Sequence, residues 1–350
     1  MVLSYYIVTP FYNIVWSLLK LFRRKKKYIL YCDDAFDIEL YKNIGKYLAD
    51  VEIVAKNNAV KRALLSLGYQ KVSPLPYFPD GVIMFRNMAW KFPHKKIKKI
   101  GFKHGAYNFK RHSKAHYYDM FDIFFLSSES EIENVRRLGV KTNLYPAYPK
   151  IDSIFDGSIT PEVLERLSAK IGLNPQKKTL LFSATWDGSG MSAIDRWYDK
   201  IDTLADNFNL LVTVHDWTSQ KYIEALRHNP NIYFITDFDR IPYIMLADIC
   251  ISDTSSLIAE FCILDKPVIT FKINETTRTL PEVIDLIEKI SLRINNFEEI
   301  GIAVQTLLKN PTMHHLGRLR AKQIMVGIPD GLSGKRAAEK IIALIPELAK

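Results

Sequence analysis

The sequence predicts an α/β protein of two Rossmann-like domains facing a central cleft, preceded by an amphipathic membrane-surface helix. Short β-rich apolar runs alternate with amphipathic stretches, the pattern of parallel sheets with helices on both faces. The runs fall into two series of similar size, separated by one punctuated stretch. The 350 residues, 48% of them hydrophobic, can fill two cores of ordinary size, which excludes a disordered tail or a small stapled scaffold.

The N-terminal stretch comes first. Met1 to Leu19 carries no charge and is followed by Arg23, Arg24, Lys25, Lys26 and Lys27. A secretory signal places its basic residues before the apolar run, and a spanning helix needs about 20 apolar residues, which Pro10 and Asn13 interrupt. A surface helix fits better. Thr9 can cap it and Pro10 suits its first position, after which Phe11, Ile14, Val15, Leu18, Leu19 and Phe22 share one face. Tyr12, Asn13, Trp16, Ser17 and Lys20 lie largely opposite. An apolar face ending in a basic cluster suits in-plane binding to an anionic leaflet, the alternative being a helix docked on the protein's own core.

Strands are expected at Tyr28 to Cys32, Val51 to Ala55, Gly81 to Phe85, Ile97 to Phe102, Ile123 to Leu126 and Asn143 to Ala147. A second series follows at Thr179 to Ser183, Leu210 to His215, Ile232 to Ile235, Ile249 to Ser252, Pro267 to Phe271 and Ser291 to Ile294. Between them Gly157, Thr160, Pro161, Gly172, Asn174 and Pro175 punctuate a single helical segment, which puts the domain boundary near Pro175. The expected domains are therefore 28–175 and 176–350, after an anchor over 1–27. The last stretch, Gly334 to Leu348, reads as a helix able to pack across to the first domain.

Lys and Arg number 48 against 38 Asp and Glu, a net charge of +10. Such a balance favours nucleic acid, phospholipid or a phosphorylated substrate, and its sign does not choose among them. Cys32, Cys250 and Cys262 lack the spacing of a zinc site or a disulfide framework, which fits a reducing compartment. The basic run from His94 to Lys99, with Lys103, Lys110, Arg111 and Lys114, carries no recognised nucleic-acid-binding pattern. No nucleic-acid partner is expected.

The segment Ile249 to Phe271 reads as a strand, a small polar turn, a helix and a second strand. Asp253, Thr254, Ser255 and Ser256 fall where the first strand gives way to the helix, so hydroxyls, amides and the helix dipole favour a bound phosphate there. Glu260, one turn on, can accept from ribose hydroxyls. Ordinary capping by Asp or Ser explains the same residues.

This segment, with Lys266 and Pro267 opening its second strand, resembles the Asp-Tyr-Ser-Ser signature and Lys-Pro strand of the CDP-glycerol glycerophosphotransferase family, which builds teichoic acids and related polymers. Lys103, His104 and Gly105 resemble its His-Gly motif, and Tyr148 to Asp152 its Gly-Tyr-Pro-Arg-x-Asp element. Asp330, Gly331, Leu332, Ser333, Gly334, Lys335 and Arg336 resemble its Asp-Gly-x-x-x-x-Arg element. The matches run in order from about residue 80 to residue 345. Ala106, Thr254 and Asp216 stand where the family has other residues, which leaves the exact donor and acceptor open.

The resemblance implies a GT-B fold and transfer of glycerol phosphate or a related polyol phosphate from a CDP-activated donor. The acceptor would be a hydroxyl of a lipid-linked or polymeric chain, at the cytoplasmic face of the membrane, with no metal and no cofactor. His104 is then the general base, since its unperturbed pKa lies near neutrality. His215, Ser255, Ser256 and Arg336 would stabilise charge on the phosphates, and Asp253, Thr254, Glu260, Asp330 and Ser333 would complete the donor site. His112 and His116 have helical ligand spacing but no third ligand, and Asp237-Phe238-Asp239 is better explained by Asp239 capping the helix that follows. The alternatives are a glycosyltransferase or sugar-nucleotide epimerase of similar fold using a UDP-sugar, and a non-catalytic membrane or nucleic-acid binder.

Overall fold

In the computed structural model, which describes residues 3–23, 25–107, 113–274, 281–327 and 329–350, the strands form two parallel sheets. The first has β1 (Tyr28–Cys32), β2 (Val51–Ala55), β3 (Val72–Pro74), β4 (Gly81–Met84), β5 (Lys98–Phe102), β6 (Ile123–Leu126) and β7 (Asn143–Pro146), in the order β3-β2-β1-β4-β5-β6-β7. The second has β8 (Lys178–Ala184), β9 (Phe208–Val214), β10 (Tyr233–Phe234), β11 (Ile249–Ser252), β12 (Val268–Phe271) and β13 (Leu292–Ile294), in the order β10-β9-β8-β11-β12-β13. β1, β4, β6 and β11 are buried at every position, as strands covered on both faces must be. That is why they appear in the sequence as apolar runs. β3 was not expected: it is a short edge strand ending in Pro74, and its residues carry no apolar run.

Strand order reverses between β1 and β4 in the first sheet and between β8 and β11 in the second. Ligands of open parallel sheets bind outside the carboxyl ends of the strands at such a switch point. In the second sheet that point lies between the turns that follow Ala184 and Ser252.

Two compact units contain these sheets. One comprises Met1–His104, Ser113–Asp152 and Asp330–Lys350, the other Gly105–His112 and Ser153–Pro329. The division therefore falls after Asp152 rather than at Pro175, and the chain from Asp330 rejoins the first unit instead of completing the second. The cause is a set of polar contacts. The Tyr148 amide donates to Ser333 Oγ (2.8 Å), and the amides of Ser333 and Gly334 donate to the Asp152 carboxylate (3.1 and 2.6 Å). Leu332, at the N-cap of the helix Ser333–Leu344, has no side-chain acceptor to offer, so Asp152 supplies it from elsewhere in the fold. Burial pushes the Asp152 carboxyl up to about 6, although these amides pull it down. Asn43 closes the junction by donating to the Pro149 carbonyl (2.8 Å).

The N-terminal helix spans Leu3–Phe22 and begins before the Thr9-Pro10 pair expected to open it. Tyr12 and Trp16, placed by the sequence pattern opposite the apolar row, are buried. Their O–H and N–H groups donate to the carbonyls of Tyr77 (2.7 Å) and Pro79 (2.6 Å), and Trp16 stacks on His94 with centroids 3.8 Å apart. Lys20 and Arg23 pair with Asp80. The helix is thus docked on the first unit through the amphipathic rings of its Tyr and Trp, whose apolar bodies pack while their polar tips find acceptors.

The opposite face stays exposed: Phe11 is 67%, Ile14 59%, Leu18 52%, Leu19 41% and Phe22 84% accessible, with Val15 half-buried. The basic cluster differs from expectation too. Lys25 pairs with Asp50, Lys26 with Glu347 and Lys27 with Glu52, all as exposed pairs, while Arg24 lies outside the described residues. No described helix is long and apolar enough to cross a membrane.

Candidate functional site

The switch point of the second sheet gathers the hydroxyl-rich turn. Asp253 leaves the end of β11 almost fully buried, and its carboxylate accepts the amides of Thr185 (3.0 Å), Ala193 (3.0 Å) and Thr254. It ties the turn after β11 to the turn after β8. Burial pushes its carboxyl up to about 6 against the pull of those amides. Asp253 is therefore a strut committed to the protein's own amides, and the phosphate-facing set expected from sequence narrows to Thr254, Ser255 and Ser256. Ser183 Oγ donates to Ser255 Oγ (3.0 Å), and Thr254 Oγ1 to the Met191 carbonyl (3.3 Å). Ser255 is half-buried and Ser256 exposed. Gly105, grouped with this unit, lies against the turn: a Cβ there would come 3.4 Å from Ser256 Oγ. Glu260, expected from sequence to be open to a ligand, is 2% exposed on the helix Leu257–Ile263.

His215 follows β9, two strands from β11 in the sheet order. Its Nδ1 accepts the Trp217 amide (3.1 Å), which leaves the proton of the neutral ring on Nε2. Trp217 stands beside it after β9 and meets Trp186 after β8, a pair the sequence reading did not single out.

In the first unit, His104 is exposed just beyond β5. Its neighbour Lys103 pairs with Glu131, which is fully buried and also accepts from the Ser127 amide (3.1 Å) and hydroxyl (3.0 Å). Burial holds the Lys103 ammonium below its ordinary value even with Glu131 beside it. This buried pair anchors the turn that presents His104. Nothing in the local sequence announced Glu131, which lies 28 positions away.

The element Asp330 to Arg336 also lies in the first unit, so Arg336 does not complete the second sheet's turn from the same domain as expected. Arg336 forms an exposed pair with Asp330 (2.7 Å), and Ser333 is held by the Tyr148 amide. The motifs at Tyr148–Asp152 and Asp330–Arg336 are thus brought together, as a structural junction. Asp239 accepts the Ile241 amide (3.1 Å) at the start of the helix Ile241–Leu246, and Asp237 accepts the Tyr243 hydroxyl. Among the described residues no group of three or more His, Cys, Asp or Glu side chains is placed to hold a metal ion. Lys110, Arg111 and His112 lie outside those residues.

Two parallel-sheet units with a hydroxyl-rich turn at a switch point define a GT-B-like α/β protein, and solved structures share that fold. The wall teichoic acid polymerase TagF superposes with a TM-score of 0.69 at 14% identity, covering 99% of each chain. The UDP-GlcNAc 2-epimerase of Neisseria meningitidis, bound to UDP-GlcNAc, does so with a TM-score of 0.59 at 15% identity, over 91% of this chain and 100% of that one. Residues 89–343 match the model of the CDP-Glycerol:Poly(glycerophosphate) glycerophosphotransferase family, and the chain belongs to that family. The teichoic acid ribitol-phosphate polymerase TarL of Staphylococcus aureus is 28% identical over 158 residues, 42% of this chain and 28% of that protein. The chain spans less than a third of the length of the curated relatives it matches.

Proposed function

We propose that this protein transfers glycerol phosphate, or a related polyol phosphate, from a CDP-activated donor to an acceptor hydroxyl in the synthesis of a cell-envelope polymer. The observation that carries the reading is the family match over 89–343, which contains His104, His215 and the Thr254-Ser255-Ser256 turn. In this account the second unit binds the nucleotide diphosphate. The hydroxyls of Thr254, Ser255 and Ser256, the turn amides and His215 Nε2–H take the phosphate oxygens. The acceptor oxygen forms a bond to the distal phosphorus, the bond from that phosphorus to the bridging oxygen breaks, and CMP leaves. His104 takes the proton of the attacking hydroxyl. Phosphate charge is met by these protein donors, and activity should persist in a metal chelator. Titration calorimetry with CDP-glycerol, CMP, UDP and UDP-sugars tests the donor: binding of CMP and CDP-glycerol is expected, and a preference for UDP would overturn it.

The same account places the protein at the cytoplasmic face of the membrane, peripheral to it. Support comes from the exposed row Phe11, Ile14, Leu18, Leu19 and Phe22 on a helix whose other side is docked. Because Lys25, Lys26 and Lys27 have acidic partners, the exposed Lys95 and Lys96, beside the His94 that stacks on Trp16, are the better candidates for anionic headgroups. Replacing Phe11 and Phe22 by Ser should weaken sedimentation with anionic vesicles on the order of 10²-fold. Unchanged sedimentation would remove this helix from membrane binding.

A further inference from the structure

Trp186 and Trp217 follow the carboxyl ends of β8 and β9, which run side by side with Ala184 opposite Val214. Their indoles meet edge to face, with centroids 5.7 Å apart and planes at 86°, and Trp217 is 66% exposed. The pair is held by its surroundings. The Asp187 carboxylate accepts both the amide (2.8 Å) and the hydroxyl of Ser219, joining the loop after β8 to the loop after β9. The Trp217 amide is fixed on His215 Nδ1, and the Thr218 amide on the His215 carbonyl (2.9 Å). A Cβ on Gly188 would lie 2.4 Å from the Trp186 ring, so the indole can fold over its own turn because that position is glycine. A large indole fixed in water on a braced loop, at the ligand-binding end of a sheet, is organised for a partner.

The geometry selects the partner. Perpendicular rings in direct contact leave no parallel slot to sandwich a nucleobase. They form a corner whose open indole face suits the C–H bonds of a hydroxylated carbon chain or sugar ring. His215 lies beside Trp217, with ring centroids 5.3 Å apart. We propose that Trp217, backed by Trp186, is a stacking subsite for polyol or saccharide carbons at the reactive end of the acceptor. It rests on the transferase reading, in which that end must reach the phosphorus held by this unit.

The test compares wild type, Trp217→Ala and Trp217→Phe, with CDP-glycerol as donor and a soluble glycerol-phosphate oligomer as acceptor. Trp217→Ala should raise the KM for the oligomer about tenfold or more while the calorimetric Kd for CDP-glycerol stays within about twofold. Trp217→Phe should restore most of the loss. Because the ring is mostly exposed, melting should not change. Weaker CDP-glycerol binding with an unchanged oligomer KM would make the pair a base platform and overturn the proposal, as would no change in either. Should wild type transfer nothing from CDP-glycerol, the functional reading fails and equilibrium binding of the oligomer decides the subsite separately. Binding to wild type that Trp217→Ala loses supports it, whereas equal binding to both, or to neither, overturns it.

Discussion

Replacing Gly334 by alanine is a one-methyl perturbation whose effect can be worked from the junction it enters. The new Cβ would sit 2.3 Å from the Asn43 carbonyl oxygen and 2.7 Å from its carbon, about an ångström inside ordinary contact, and both are backbone atoms with little freedom to give. The helix Ser333–Leu344 must back away from the helix Asp37–Gly45, which strains three hydrogen bonds: two from amides to the Asp152 carboxylate and one from the Tyr148 amide to Ser333 Oγ. Charged-acceptor bonds contribute about 1.5–3 kcal/mol each and neutral ones about 1, so their complete loss would cost about 4–7 kcal/mol. Partial relaxation and the better helix propensity of alanine, up to about 1 kcal/mol, bring the expected loss to about 2–4 kcal/mol. Gly301→Ala is the control. It lies in the helix Ile300–Lys309 with nothing within 4 Å of its Cβ, and should gain up to about 1 kcal/mol. Differential scanning calorimetry reads both variants beside wild type. Gly334→Ala melting with wild type would refute the junction as the bond between the last helix and the first unit.

Ser255→Ala should weaken CDP-glycerol binding by roughly one to two orders of magnitude in calorimetry, from one lost charge-assisted bond, with melting little changed; equal affinity would take Ser255 out of the donor site. Asp253 gives a pH signature. Burial raises its folded pKa to about 6, above the ordinary value near 3.9, so its contribution to stability is fully present below about pH 4 and is lost as pH rises through 6. The stability of wild type relative to Asp253→Asn should fall across that window by up to about 3 kcal/mol. A flat or rising difference in urea titrations would show that the carboxyl is not raised.

Much of the fold was legible because parallel strands buried on both faces must be apolar throughout, so their ends could be placed within a residue or two at β1, β4, β6 and β11. β3, with one buried valine, a serine and a proline, gave no such signal. The outer face of the N-terminal helix was also read from its spacing. Its docking face was not, because Tyr12 and Trp16 count as polar-edged in a pattern yet bury most of their surface. The site was legible as separate motifs but not as partnerships. Chain order put Arg336 with the second sheet, whereas the Asp152 carboxylate draws that segment back to the first unit. The acid in the hydroxyl-rich turn looked like a ligand, and three backbone amides make it a strut. Lys103 with Glu131, and Trp186 with Trp217, meet across 28 and 31 positions respectively, distances over which a linear pattern carries no information.

The most direct measurement is transfer itself. CDP-glycerol labelled in the glycerol is incubated with a soluble glycerol-phosphate oligomer, and label in the oligomer is followed together with release of CMP. The account predicts one CMP for each glycerol phosphate incorporated, and a rate lowered roughly 10²- to 10⁴-fold in His104→Ala with the CDP-glycerol Kd unchanged. CMP release without incorporation, or a His104→Ala variant as fast as wild type, would contradict it.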